Sequence, residues 1–346
     1  MARKDGLPSA THTYKTAGVD REAASRLKQT ISRIVSSTHG PEILENPSGF
    51  GGLYHLTNFQ NPVLVSSTDS VGTKLKIATW MESYRSLGFD VVNQNVNDVM
   101  VCGAKPLFFL DCIGMGKLAA GVVEEMVAGM ATACRESECA LVGGETAELP
   151  DMYAKGEFDL SGFAVGAVDR NQILDISKVA AGDVLIALPS SGLHTNGYSL
   201  VRNIFRLEDD PSPLQNMEEE LSMTLGEALL APHLAYYPTV KRLLPFIKAM
   251  SHITGGGMYN NVPRSLPKGV SGHINLDSWD VPPIFNIIQQ RGNVERDEMY
   301  RVFNMGVGMI LICSPEQSGR ILGMNPTAWV IGEVIRSDSS QRVVLG

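Results

Sequence analysis

Short apolar runs alternate with stretches of helical periodicity along the first half of the chain. The run 62–68 (PVLVSST) carries no charge and ends at Asp69, which predicts a strand. From 72 to 84, Lys74, Leu75, Ala78 and Met81 recur at helical spacing, so Asp69 stands at a strand-to-helix junction. Over 89–103 the pattern puts Val92, Val96, Val99 and Met100 on one helix face. Asn93 and Asn97, like Gln94 and Asp98, lie four apart on the other, and Gly103 and Pro106 end the helix. LFFLDCI (107–113) predicts a buried strand bearing one acid, Asp111. Residues 120–137 predict a helix with Val123, Met126, Val127 and Met130 inward, and ALVGGE (140–145) and FDLSGFAVGAV (158–168) predict two more strands. Such alternation predicts a layered α/β or α+β domain.

The segment DRNQILDIS (169–177) reads as a join, which divides the chain into 1–170 and 171–346. Beyond it the pattern starts afresh. DVLIALP (183–189) predicts a strand, SSGLHTNG a glycine turn and YSLVRNIF (198–205) a helix. LEDDPSPLQNMEEE (207–220) predicts an exposed acidic connection. HITGGGMYNNVPRSLP (252–267) predicts a glycine turn feeding a helix that proline ends. RVFNMGVGMILIC (301–313) and AWVIGEVI (328–335) predict the last strands.

Length and composition sharpen this picture. A chain of 346 residues with 44% hydrophobic positions suits two domains, each with a core. The net charge of −8 leaves no broad positive field, so nucleic acid is not an expected partner, whereas a small anion needs only a local site. The five cysteines form no CxxC pair, which argues against a disulfide framework or zinc knuckle and fits a reducing cytoplasm. No stretch approaches the ~18 apolar residues of a membrane helix, so no membrane association is expected.

Asp69, Asp98, Asp111, Glu145 and Glu148 all fall near strand ends, a helix's polar stripe or a glycine turn. Oxygen ligands without Cys or His partners suit magnesium, which proteins hold with one or two carboxylates plus substrate phosphates. Singly, each acid reads equally well as a helix cap or solvated charge; together they favour a site. Lys15 and Lys74 suit β- or γ-phosphates, against the ordinary reading of a lone lysine as a surface charge. His194, in SSGLHTNGYS (190–199), suits a substrate phosphate or a proton transfer, with Ser190, Ser191 and Thr195 as further donors. A turn histidine that packs and caps the next helix fits as well, with Asn196 as N-cap. Gly255, Gly256 and Gly257 would offer backbone amides to an anion, or make a tight turn.

Taken in order, nine blocks resemble the phosphoribosylformylglycinamidine cyclo-ligase (aminoimidazole ribonucleotide synthetase) family. They are YKTAGVD (14–20), TDSVGTKLKIA (68–78), VNDVMVCGAKPLFFLDCIGMGKL (96–118), LVGGETAELPDMY (141–153), SGFAVGAV (161–168), GDVLIALPSSGLHTNGYSLVR (182–202), HITGGGMYNNVPR (252–264), FNMGVGM (303–309) and AWVIGEV (328–334). The resemblance implies a two-domain fold whose N-terminal mixed sheets form a barrel across a homodimer, with a C-terminal α/β sandwich. It implies ATP and Mg2+ in the N-terminal region and a ribonucleotide cleft between the domains. By motif, Asp69, Asp98 and Glu145 look like the metal ligands, and Lys15, Lys74 and Asn97 join them around ATP. Lys15, Asp98 and His194 look like the catalytic group, and Ser190, Ser191, His194, Thr195, Asn196, Gly255 and Gly256 like the substrate side. Family members commonly carry glycine where this chain has Ser70 and Pro189, so Ser70 puts a Cβ on a turn that special backbone angles would strain. Thiamine-phosphate kinase, selenophosphate synthetase and the hydrogenase maturation dehydratase share such an ATP site. Residues 1–60 hold no Cys of the kind a selenophosphate synthetase needs, and the chain ends RVVLG rather than in a Cys-bearing tail. A non-catalytic nucleotide-binding homologue is the alternative of another class.

Overall fold

The computed structural model describes residues 21–346. Helix α1 (Arg21–Ser36) leads to a small antiparallel pair, β1 (Ile43–Leu44) and β2 (Leu53–Tyr54). The first main sheet comprises β3 (Pro62–Ser70), β4 (Lys105–Met115), β5 (Ala140–Glu148) and β6 (Phe158–Asp169), in the order β3-β6-β4-β5. β6 runs antiparallel to both neighbours and β5 parallel to β4. Between the strands come α2 (Lys74–Trp80), α3 (Arg85–Met100) and α4 (Ala120–Glu136). β3 alternates as a half-covered strand should: Val63, Val65 and Ser67 are partly buried, and Leu64, Ser66 and Thr68 face out. α3 and α4 approach so closely that a Cβ on Gly129 would lie 2.1 Å from the Arg85 carbonyl oxygen, so glycine is required there.

The second sheet has six strands. β7 (Val184–Pro189) is followed, past the short pair β8 (Met217–Glu218) and β9 (Met223–Thr224), by β10 (Ala249–His252), β11 (Val270–Ile274), β12 (Val307–Cys313), β13 (Trp329–Arg336) and β14 (Val343–Leu345). Their order is β10-β12-β7-β13-β11-β14, with only β11 and β14 parallel. Every residue of β12 is buried, the signature of a strand covered on both faces. Helices α5 (Tyr198–Ile204), α6 (Leu225–Leu229), α7 (Tyr237–Val240), α8 (Gly257–Asn261), α9 (Pro283–Gly292), α10 (Arg296–Val302) and α11 (Pro315–Met324) complete this half.

The structure changes three expectations. Residues 301–313 are not one strand: α10 runs to Val302, and left-handed Met305 and Gly306 turn the chain before β12 begins at Val307. The acidic connection 207–220 is anchored rather than wholly solvated, because Leu207 and Leu214 are buried. The helix expected at 89–103 begins at Arg85 and is buried nearly all round, its polar stripe included.

That stripe is the joint between the two halves. Asn93 Nδ2 donates to the His233 carbonyl at 2.7 Å and Asn97 Nδ2 to that of Leu234 at 2.9 Å. Asn97 Oδ1 accepts from the Tyr236 N–H, and Asp90 Oδ1 from that of His233. An extended segment of the second domain is thus read by α3 much as a neighbouring strand would read it.

Candidate active site

Between the domains lies a cleft of about 340 Å³. Asp69 and Asp98 line it from the first domain, and Asn196, His252, Thr254, Gly255 and Arg264 from the second. Asp69 reaches it because β3 ends there; its Oδ1 accepts from the Ser70 N–H at 2.8 Å. Ser70 takes ordinary extended-side angles, and the left-handed residue of this turn is Gly72 (φ 69°), so the extra Cβ of Ser70 brings no strain. Asp98 projects from α3 with its side chain 36% exposed. Its Oδ2 accepts from Ser67 Oγ at 3.3 Å, and its Oδ1 faces His252 Nδ1 at 2.8 Å.

Behind His252 the structure stacks two more imidazoles. His233 Nε2 lies 2.9 Å from His252 Nε2, and the His233 ring stacks on His194 with centroids 3.9 Å apart. Burial above all holds both His194 and His233 well below the usual histidine range, so both are neutral. His194 sits in a left-handed conformation (φ 60°), accepts the Ser191 N–H at Nε2, and leaves Nδ1 without a partner among the described residues. A buried ring nitrogen without a partner and a left-handed backbone at one residue are two departures from ordinary packing.

Several expected site residues sit elsewhere. Lys74 is fully buried, and its three ammonium protons are taken by Asp90, the His194 carbonyl (3.2 Å) and the Ala231 carbonyl (2.8 Å), so none remains for a phosphate. Burial pushes the Lys74 ammonium down and the Asp90 carboxyl up, each opposed by the other's charge. Asn97 is likewise occupied in the joint and does not reach the cleft. Glu145 is exposed on β5, opposite Cys112 of β4, and is not part of the cleft lining; Glu148 accepts the Leu118 N–H. The described residues hold no cluster of three His, Cys, Asp or Glu able to bind a metal ion. Ser190 Oγ bonds to Gly192 and Asn304, and Ser191 Oγ to the Pro232 carbonyl, so both hydroxyls brace the turn. His194 is wholly buried and Thr195 nearly so, leaving Asn196 as the residue of that turn which lines the cleft. Gly255 lines it too, while Gly256 (φ 89°) makes the turn into α8. Lys15 lies outside the described residues.

Sequence reasoning missed His233, His252, Arg264 and Asp90. His252 opens the HITGGG block, which was a usable signal. His233, in APHLAYYP, stands in no pattern at all. A larger hollow of about 680 Å³ between 171–178 and 241–248 holds none of the expected site residues.

Family models agree with these two halves: the N-terminal domain of AIR synthase related proteins matches residues 54–168, and their C-terminal domain matches 180–344. The phosphoribosylformylglycinamidine cyclo-ligase of Thermoanaerobacter sp. (strain X514) is 46% identical over 330 residues, which is 94% of this chain and 98% of that one. Its namesake from Trichlorobacter lovleyi is 47% identical over 343 residues, which is 96% of this chain and 98% of that one. The chain belongs to the phosphoribosylformylglycinamidine cyclo-ligase family. Solved structures outside the cyclo-ligases share the fold at low identity. Thiamine-monophosphate kinase from Stenotrophomonas maltophilia K279a superposes with a TM-score of 0.64 at 18% identity, covering 93% of this chain and 94% of its own. Hydrogenase maturation protein HypE in complex with ATP does so at 0.65 and 16%, covering 95% and 93%.

Proposed function

We propose that this protein closes the imidazole ring of purine biosynthesis, converting formylglycinamidine ribonucleotide and ATP to 5-aminoimidazole ribonucleotide, ADP and phosphate. The observation that carries the reading is the inter-domain cleft, where Asp98 meets His252, in a chain nearly half identical to cyclo-ligases over almost its full length. The γ-phosphoryl group passes from ATP to the formyl oxygen, leaving ADP and turning a poor leaving oxygen into phosphate. The amidine nitrogen bearing the ribose then attacks the activated carbon, phosphate departs with the oxygen, and the nitrogen releases its proton as the ring closes. No covalent protein nucleophile is needed; positioning and charge neutralisation suffice.

Asp69 and Asp98 offer hard oxygen donors on one wall, a set that fits a magnesium ion arriving with nucleotide phosphates better than a preformed cage. Bound there, the ion would neutralise developing phosphate charge. Arg264 and Asn196, on the other wall, offer donors to phosphate oxygens of the ribonucleotide. Lys15 is the proposed further ATP contact, and Glu145 a ligand that would have to reach the nucleotide from outside the cleft. The two family matches support a division at 170/171 into an ATP-binding and a cleft-completing domain. Leu64 and Phe163, both exposed on the uncovered face of the first sheet, support a homodimer in which that face meets its copy. All five cysteines are unpaired, which supports a reducing, cytoplasmic setting, and among the described residues no helix is long and apolar enough to cross a membrane.

ADP release measured with and without formylglycinamidine ribonucleotide, beside colorimetric detection of the aminoimidazole, tests the reading. Appearance of both products one for one, only with the ribonucleotide, is expected. ATP binding without ring closure would sink it and make thiamine phosphate the next substrate to try.

A further inference from the structure

Five polar side chains form one hydrogen-bonded arc behind the cleft. Asn196 Nδ2 donates to Thr195 Oγ1 at 3.4 Å, and Thr195 Oγ1 lies 3.4 Å from His233 Nδ1. His233 Nε2 lies 2.9 Å from His252 Nε2, and His252 Nδ1 lies 2.8 Å from Asp98 Oδ1. The two ends, Asn196 and Asp98, line the cleft from opposite domains, whereas His233 is 1% exposed and does not line it. Nothing in the ring closure described above uses His233.

With Asp98 ionised and a single ring proton on His252, counting protons gives the arc one direction. An ionised carboxylate has no proton to give, so His252 Nδ1–H donates to Asp98. A neutral imidazole carries one ring proton, so His252 Nε2 is then an acceptor, and the short contact between the two Nε2 atoms requires the proton of His233 to sit on its Nε2. His233 Nδ1 is left bare and accepts from the Thr195 hydroxyl, whose oxygen already accepts from Asn196. Every donor points the same way, from the second domain to the first, an arrangement in which each bond polarises the next.

We propose that His233 is a positioning residue for the cyclisation: its Nε2–H holds the far nitrogen of the His252 ring, whose Nδ1–H binds Asp98, and so aims Asp98, linking the Asn196 wall of the cleft to the Asp98 wall. The main chain at 233 is held independently, by Asp90 Oδ1 on its N–H (2.8 Å) and Asn93 Nδ2 on its carbonyl (2.7 Å), so the ring can be replaced without releasing the segment. Burial, which keeps His233 neutral, agrees with a donor of fixed polarity rather than a proton reservoir.

For its kinetic arm this role rests on the cyclo-ligase reading; its spectroscopic arm does not. In the full-length protein labelled with 15N-histidine, His252 is expected as the Nδ1–H tautomer and His233 as the Nε2–H tautomer. In His233→Phe, which keeps a ring against His194 but has no donor, Asp98 is expected to hold the His252 tautomer, while the bare His252 Nε2 resonance moves to that of a nitrogen accepting no hydrogen bond. With Mg-ATP and formylglycinamidine ribonucleotide, His233→Phe is expected to lower kcat by about tenfold or more while KM for ATP stays within about twofold, the range for a residue acting through another. His233→Gln carries an amide N–H to the Nε2 position and should recover most of the loss, whereas His233→Asn imitates the Nδ1 side and should not. A wild-type His233 that carries its proton on Nδ1, an unmoved His252 Nε2 resonance in His233→Phe, or equal kcat in the Gln and Asn variants overturns the assignment. A wild-type protein without cyclo-ligase turnover overturns the functional reading instead, and the tautomer measurement still decides on His233.

Discussion

Asp98 accepts from two donors at once, Ser67 and His252, and an asparagine there would turn an amide toward one of them. Asp98→Asn should therefore lower turnover by about 100-fold or more, as loss of a charged group at a phosphoryl-transfer site does, with the melting curve nearly unchanged. Turnover close to wild type would remove Asp98 from the site. Asp111 allows a different test, because burial pushes its carboxyl up to about 7, with Glu145 adding to the shift. A folded-state value above the unfolded one means that the folded protein holds the proton between about pH 4 and 7 while the unfolded chain releases it. Stability is then full below pH 4 and falls as pH rises through 7, by up to roughly 4 kcal/mol. Asp111→Asn should flatten that fall, giving a variant more stable than wild type at pH 8 and little different at pH 4 in denaturant titrations. A wild-type stability that is level between pH 4 and 8 would show that the carboxyl is not held protonated.

At the scale of elements, α3 explains both what the sequence reveals and what it hides. Its apolar positions Val92, Val96, Val99 and Met100 are all buried, as their spacing predicts. The polar positions opposite look identical in sequence whether they face water, a nucleotide or another domain, because periodicity reports polarity and not the identity of the partner. Asp98 faces the cleft; Asn97, one residue earlier and about 100° round the helix, faces Leu234 and Tyr236. Lys74 was opaque for the same reason: its counter-ion Asp90 is sixteen residues away, and its two carbonyl partners belong to the other domain. Asn97→Ala should then cost about 3 kcal/mol, by leaving a buried N–H and a buried carbonyl unpaired, and should leave KM for ATP nearly unchanged. A normal melting temperature with a raised KM for ATP would return Asn97 to the nucleotide. Strands were easier to read, since β3, β4, β6 and β7 are runs whose burial follows side-chain alternation or full coverage. The exception, 301–313, misleads because the apolar residues of α10's last turn adjoin those of β12 without a breaker before Met305.

For the whole molecule, the second sheet buries its strand β12 on both faces, while the first sheet leaves one face open. The uncovered face of the first sheet carries Leu64 at 63% exposure and Phe163 at 44%, on the adjacent antiparallel strands β3 and β6. If two copies close over that face, Leu64→Glu should convert a dimer to a monomer in sedimentation equilibrium, with loss of turnover if nucleotide ligands come from both copies. A wild-type chain that sediments as a monomer would refute the pairing. The joint formed by α3 has a separate implication for recombination. Its partners in the second half are mostly carbonyl and amide groups of 231–236, so side chains there are free to vary while the path of the main chain is not. Halves taken from two cyclo-ligases should therefore graft onto one another wherever Lys74, Asp90, Asn93 and Asn97 stay together with a receiving loop of unchanged length. A single residue inserted between Ala231 and Tyr236 should defeat the graft even when every catalytic side chain is intact.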